Sequence, residues 1–196
     1  KKLSKRRGAL ALTEYRTRGY LPGAILNMVS LVGWNPGTDQ EIFTREELRD
    51  AFDLAKVQKS GALFNPEKLE WINKEHILRM NEHARLDAIE SYISEDIKKL
   101  PNYSRAMFEK FAPIIVEHIT NFGEVGAMCV GGELSYFFTA SSFPKEKLLW
   151  KVEGDVTTTT TRLLHIQELL KALPEGREFT PENVKNALWS YAEAEG

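Results

Sequence analysis

Phe64-Asn65-Pro66-Glu67-Lys68-Leu69-Glu70-Trp71-Ile72-Asn73 holds the signals that set the fold class. Asn65 has a side-chain oxygen suited to capping a helix, and Pro66 fits the first helical turn, where its missing N–H is no loss. Leu69, Ile72 and Ile77 then recur at helical intervals. Similar punctuation appears along the rest of the chain. Residues 12–18 predict a short helix that stops at Gly19, and Pro22 opens a second that ends at Gly33. Thr44-Arg45-Glu46-Glu47 has capping-box spacing and predicts a helix from Arg45 to Asp53, with Leu48 and Phe52 inward. Residues 83–99 place Leu86, Ile89, Ile93 and Ile97 on one helical face before Pro101. Ser104 caps a helix carrying Met107, Phe108 and Phe111, which Pro113 kinks or restarts. The glycine-rich stretch Phe122 to Gly132 reads either way. Asp155 predicts a helix to about Leu173 with Leu163, Leu164, Ile166, Leu169 and Leu170 as core, and Thr180-Pro181 starts another. No pair of alternating strands and no fixed-period repeat is visible, so the predicted class is all-α.

Composition narrows the function classes. The 196 residues are 42% hydrophobic and 28% charged, ordinary for a water-soluble globular chain and long enough to bury a core. The single cysteine, Cys129, excludes an intramolecular disulfide framework and reads as a small buried hydrophobe. There is no apolar run of membrane-spanning length and no secretory leader pattern, so no membrane partner is predicted and a cytoplasmic location is expected. The four histidines, His76, His83, His118 and His165, lack metal-ligand spacing, so no metal site is predicted. Glu90, Glu95 and Asp96 read as a solvated helix face. The chain opens without methionine, which fits a piece of a longer protein.

Charge is unevenly spread. The net is −2, but residues 1–80 carry 14 Lys+Arg against 10 Asp+Glu, whereas residues 81–196 carry 12 against 18. A polyanion is therefore expected to dock mainly on the first part. Lys1-Lys2-Leu3-Ser4-Lys5-Arg6-Arg7-Gly8 places five cations, a hydroxyl and a glycine together, a loop chemistry suited to phosphate oxygens; a solvated basic tail is the plainer reading. Lys68 and Trp71 lie three apart on one helix face and could pair a phosphate contact with a flat surface for a sugar or base. Asn73 and Lys74 are lesser candidates for the same face. The alternative is that Trp71 belongs to the core and Lys68 is merely solvated.

Lys2-Leu3-Ser4-Lys5-Arg6 resembles the Lys-Met-Ser-Lys-Ser signature of class I aminoacyl-tRNA synthetases. The series continues with Tyr15-Arg16-Thr17-Arg18-Gly19-Tyr20-Leu21-Pro22-Gly23-Ala24-Ile25-Leu26-Asn27, Leu31-Val32-Gly33-Trp34, Glu41-Ile42-Phe43-Thr44 and Phe64 to Asn73. In this order it resembles the bacterial-type glutamyl-tRNA synthetases across residues 2–77. Tyr136-Phe137-Phe138 and Leu148-Leu149-Trp150-Lys151 are more weakly similar to the anticodon-binding region of that family. The resemblance implies a helical stem-contact subdomain over residues 1–80 and a helical-bundle anticodon-binding domain, cut short at its C-terminal side, over residues 81–196.

The resemblance also implies the chemistry. The parent enzyme would activate glutamate with ATP and Mg2+ as a glutamyl-adenylate and transfer it to tRNA(Glu). Whether tRNA(Gln) is also a partner stays open. Lys5 matches the lysine that contacts ATP phosphates, and Lys2 and Ser4 match supporting positions; Arg6 departs from the final serine in the manner usual for this family. Lys68 and Trp71 match positions near the inner side of the tRNA L, with Asn73 and Lys74 as lesser tRNA-binding candidates. The nucleotide-binding half with its His-Ile-Gly-His signature is absent from this sequence, so the chain alone is expected to be inactive, to hold no cofactor and to be a monomer. A stand-alone helical module that binds RNA or protein without catalysis is the competing reading. The glutamine-charging relatives, whose anticodon region is built of β-barrels, fit the helical periodicity less well.

Overall fold

The computed structural model describes residues 11–58, 64–139, 155–173 and 180–195. Among them are ten α-helices, two 3-10 turns and no strand; the one β-type pairing is an isolated antiparallel bridge between Trp34 and Val57. The chain divides into two compact units, Lys1–Ala140 and Ser141–Gly196.

The first unit begins with α1 (Leu12–Thr17) and α2 (Pro22–Gly33). They are followed by α3 (Arg45–Ala51), a 3-10 turn at Leu54–Lys56 and α4 (Pro66–Arg79). Both capping expectations hold. Thr44 Oγ1 accepts the Glu47 N–H at 3.1 Å while Glu47 accepts the Thr44 N–H at 2.6 Å, and Asn65 Oδ1 accepts the Glu67 N–H at 2.9 Å. The helix α3 is two residues shorter than predicted, because Phe52 leaves helical geometry; its half-exposed ring lies against Trp34 instead of facing inward.

The remainder of this unit is α5 (Glu82–Ser91), α6 (Glu95–Lys98), α7 (Arg105–His118), α8 (Gly123–Val130) and a 3-10 turn at Ser135–Phe137. The single helix predicted over 83–99 is two, since Ser94 accepts the Ile97 N–H and restarts the chain as α6. Ile89, Ile93 and Ile97 are nonetheless all buried. Pro113 lies inside α7 without ending it. Glu90 is not part of a solvated face: it accepts Tyr103 Oη–H at 2.8 Å and pairs with Arg105, which also reaches Asp87 at 2.7 Å and Glu109 at 2.8 Å. Burial acts to raise the Glu90 carboxyl, and the bonds from Tyr103 and Arg105 outweigh it, holding the group below its ordinary range.

Two apolar cores meet along α4. Leu69 and Ile72 pack with Tyr15, Ala24, Met28 and Ile42, whereas Ile77, one to two turns later, belongs to the core built by Ile89, Ile93, Phe108, Ile115 and Phe122. Leu21 touches both. Residue 80, where the sequence suggests a boundary, lies inside the first compact unit, and α4 lines both of its cores.

The corner where α1 turns into α2 is pressed backbone to backbone on the start of α8. Gly19, at φ +76°, and Gly123 are so close that a Cβ on Gly19 would stand 2.5 Å from Gly123 N, and one on Gly123 would stand 2.6 Å from Arg18 O. The approach is sealed by Gly123 N–H to Arg18 O at 3.1 Å and Phe122 N–H to Gly19 O at 3.2 Å.

The second unit contains α9 (Val156–Ala172) and α10 (Pro181–Glu195), packed on each other. Asp155 caps α9 by accepting the Thr157 and Thr158 N–H groups, and Thr160 and Thr161 return their hydroxyls to the carbonyls of Val156 and Thr157. Local bonding thus offsets the poor helix propensity of the threonine run. Among the described residues Leu163 and Leu164 are exposed rather than core, with α10 the helix packed on α9.

Gly123→Ala forces the α1–α2 corner away from α8 and is expected to destabilise the first unit by about 1–3 kcal/mol. Chemical denaturation of the variant beside wild type measures it; an unchanged midpoint would show that the corner gives way freely.

Candidate nucleic-acid interface

The four candidate residues on α4 go to different places. Trp71 points outward with 43% of its surface exposed and is in none of the apolar cores. Lys68, one turn earlier, is half-exposed and its ammonium pairs with Glu41 Oε1. These two share a face as the spacing predicts. Asn73 and Lys74 do not join them.

Asn73 is fully buried, and its amide bridges two segments far apart in sequence. Its Oδ1 accepts the Leu21 N–H at 2.8 Å and its Nδ2 donates to the Thr120 carbonyl at 2.6 Å. Both ends of the side chain are engaged by backbone, so it holds the framework and has no surface to offer a ligand. Lys74 caps α7: its ammonium donates to the carbonyls of Val116, Glu117 and Ile119, the last two at 3.0 and 2.8 Å. These are acceptors left open where α7 ends, and a cation there complements the helix dipole. Burial pushes the Lys74 ammonium below its usual pKa, while Glu124, Glu117 and Glu75 oppose that. Asn73 is thus corrected from a contact residue to a structural one, while the partly exposed Lys74 is engaged at the end of α7.

A second buried amide fixes the segment that faces Lys68. Asn27, also fully buried, donates Nδ2–H to the Glu41 carbonyl at 3.0 Å and accepts the Phe43 N–H at 2.9 Å. The same Oδ1 lies 3.2 Å from His76 Nε2, which must therefore carry the hydrogen. His76 Nδ1 abuts Gly23, where an added Cβ would stand 3.3 Å away. A proton on Nδ1 would face that close backbone. Burial, then the charge of Arg79, depress the His76 pKa below 6.5, with Glu47 opposing.

The sequence reading missed Asn27, Glu41 and the capping role of Lys74. A usable signal existed for the two asparagines: Asn27 follows Ala24 by three, and Asn73 follows Leu69 by four, so each sits on an otherwise apolar helix face. A polar residue there must find internal partners.

Lys2, Ser4 and Lys5 lie outside the described residues. No helix among the described residues is long and apolar enough to cross a membrane, and these residues contain no group of three His, Cys, Asp or Glu side chains placed to hold a metal ion.

The family model described as tRNA synthetases class I (E and Q), catalytic domain, matches residues 1–71. The glutamate–tRNA ligase of Clostridioides difficile (strain 630) is 44% identical over 96 residues, 49% of this chain and 20% of that protein. The glutamate–tRNA ligase of Chlorobium chlorochromatii (strain CaD3) aligns over the whole chain at 29% identity, covering 39% of its own length. The crystal structure of a glutamate tRNA ligase from Elizabethkingia meningosepticum, solved in complex with its amino acid, superposes with a TM-score of 0.67. It is 30% identical, and the match covers all of this chain and 40% of that one. The chain matches a part of the class I glutamyl-tRNA synthetases. It spans between 20% and 40% of the length of these relatives. As in the sequence reading, the helical class holds throughout the described residues.

Asn73→Ala orphans the Leu21 N–H and the Thr120 carbonyl and is expected to cost roughly 1–3 kcal/mol for each group. Trp71→Ala is expected to cost less than about 1 kcal/mol. Urea denaturation of the pair measures both, and a loss at Trp71 as large as at Asn73 would return the indole to the core. For His76, a depressed folded pKa means that its stabilising contribution is complete above the unfolded value and is lost as pH falls through the folded one. From about pH 7.5 to about pH 5.5, wild type is expected to lose more stability than His76→Gln; parallel curves would contradict the assignment.

Proposed function

We propose that this chain is the tRNA-holding part of a glutamate–tRNA ligase. The reading is supported by the similarity to such ligases along the whole chain, together with an outward Trp71 on a helix otherwise anchored to two cores. In the complete enzyme, a glutamate carboxylate oxygen attacks the α-phosphorus of ATP and pyrophosphate leaves. A ribose hydroxyl at the end of tRNA(Glu) then attacks the activated acyl carbon and AMP leaves. Negative charge grows on the phosphates in the first step, so fixed cations and hydroxyls lower its barrier. Lys5 is assigned to the ATP phosphates, where a lysine acts as a mobile point charge, with Lys2 and Ser4 supporting it. Mg2+ would accompany the ATP, and the protein would act as a cytoplasmic monomer.

In this reading residues 1–80 grip the tRNA stem and residues 81–196 belong to the anticodon-binding region. Trp71 supplies a flat apolar surface for a sugar or base, and Lys68 a phosphate contact beside it. The other two residues first considered for this face act behind it, by fixing α4.

The test is a titration of the chain with tRNA for glutamate, tRNA for glutamine and an unrelated tRNA, each at two salt concentrations. Tighter binding of the glutamate tRNA at both salts is expected. Equal affinities that collapse together at the higher salt would overturn the reading, since that pattern needs only unspecific charge.

A further inference from the structure

We propose that Glu41 is an electrostatic gate on Lys68, holding the ammonium in an ion pair that opens only when an RNA phosphate competes for it. The inference rests on the reading that α4 faces tRNA, and it adds a residue that sets how strongly, and for which anions, that face responds.

Three observations carry it. First, Lys68 is the cation of α4 left to serve Trp71. Lys74 is committed to three carbonyls of the α7 end, and Arg79, more than two turns beyond Trp71, reaches back to the Ile42 carbonyl at 3.4 Å. Second, the partner is held in place. The Glu41 carbonyl accepts from the buried Asn27, and the next two residues, Ile42 and Phe43, are themselves buried. The segment is anchored at its backbone, so side-chain rotation is the route by which the pair opens. Third, the pair is wet: the side chains of Lys68 and Glu41 are 35% and 44% exposed. A pair so placed is screened and weak, comparable with a single lysine–phosphate contact.

The physical consequence is a threshold. An isolated phosphate gains little by displacing Glu41, because the carboxylate is left unpaired beside the incoming anion. A polyanion whose register is already set by contacts elsewhere brings a phosphate to Lys68 at high local concentration and gains from counterion release. Glu41 thereby tunes Lys68 against free small anions and in favour of a correctly seated RNA backbone.

The experiment compares wild type, Glu41→Gln, Lys68→Met, the double variant and Trp71→Ala in binding to tRNA for glutamate over a range of salt. Matched unfolding midpoints serve as the control for folding, and Glu41→Ser serves as a second variant should glutamine disturb the segment. Glu41→Gln is expected to tighten binding by up to about five-fold and to steepen the dependence of log affinity on log salt by up to about one. The same substitution is expected to have no effect in the Lys68→Met background. Weaker or unchanged binding in Glu41→Gln, while Lys68→Met or Trp71→Ala weakens binding, overturns the gate and leaves the α4 interface standing. Unchanged binding in both Lys68→Met and Trp71→Ala overturns the α4 interface itself, and the gate with it.

Discussion

The amide of Asn73 is the constraint on which the first unit depends. One side chain accepts a hydrogen from the start of α2 and donates one to the end of the α7 segment, joining positions 52 and 47 residues away. Burying an amide is unfavourable unless each of its groups is bonded, so the site tolerates one arrangement of three segments and no other. The Gly19–Gly123 approach sits at the same corner, and its lack of side chains is what lets the two backbones come within bonding distance. Lys74 then closes the adjacent end of α7. Leucine and isoleucine could fill this space, but they would not fix its register.

This arrangement explains why α4 can present anything at all. A helix lining two cores has two buried stripes and a narrow outer one, and Trp71 falls on the outer one. Asn27 does for the Glu41–Phe43 segment what Asn73 does for the corner, placing a carboxylate opposite Lys68 on a backbone tied down by a buried amide. The exposed pair and the exposed indole therefore stand on a surface whose geometry is fixed from beneath by two buried asparagines.

Local signals in the sequence were enough to place most helices, because caps, prolines and glycines act over three or four residues. The boundaries of α2, α4 and α9 follow from Pro22, Asn65-Pro66 and Asp155 almost residue for residue. The errors arise where a tertiary effect decides. Ser94 interrupts a continuous apolar stripe, since a cap and a helix interior can share the same hydrophobic period. Leu163 and Leu164 have the pattern of a core but lack the neighbours to make one in the described part of their unit. On the candidate face, spacing places Lys68 and Trp71 three residues apart, and both side chains reach solvent. It could not show that Asn73 and Lys74 turn inward, because their partners lie more than 40 residues away.

The charge balance also changes meaning once the cations are located. The positive excess of residues 1–80 comes from the five cations among the first seven; residues 8–80 carry 9 Lys+Arg against 10 Asp+Glu. Within the folded part, several cations serve the protein's own carbonyls and carboxylates: Lys56 donates to the Pro36 carbonyl, Arg85 to that of Leu78, and Arg105 to three acids. The charge of Arg105 is offset by its carboxylate partners, and the field of any surface charge falls off within about 10 Å at ordinary salt. Long-range attraction of a polyanion is thus a property of the N-terminal run. In the proposed reading, the described face of α4 discriminates at contact, through an indole and a lysine whose charge is already matched. In the proposed reading, that division separates attraction from recognition, and the short-range pair between Lys68 and Glu41, rather than net charge, sets whether Lys68 yields to a seated RNA backbone or to a free small anion.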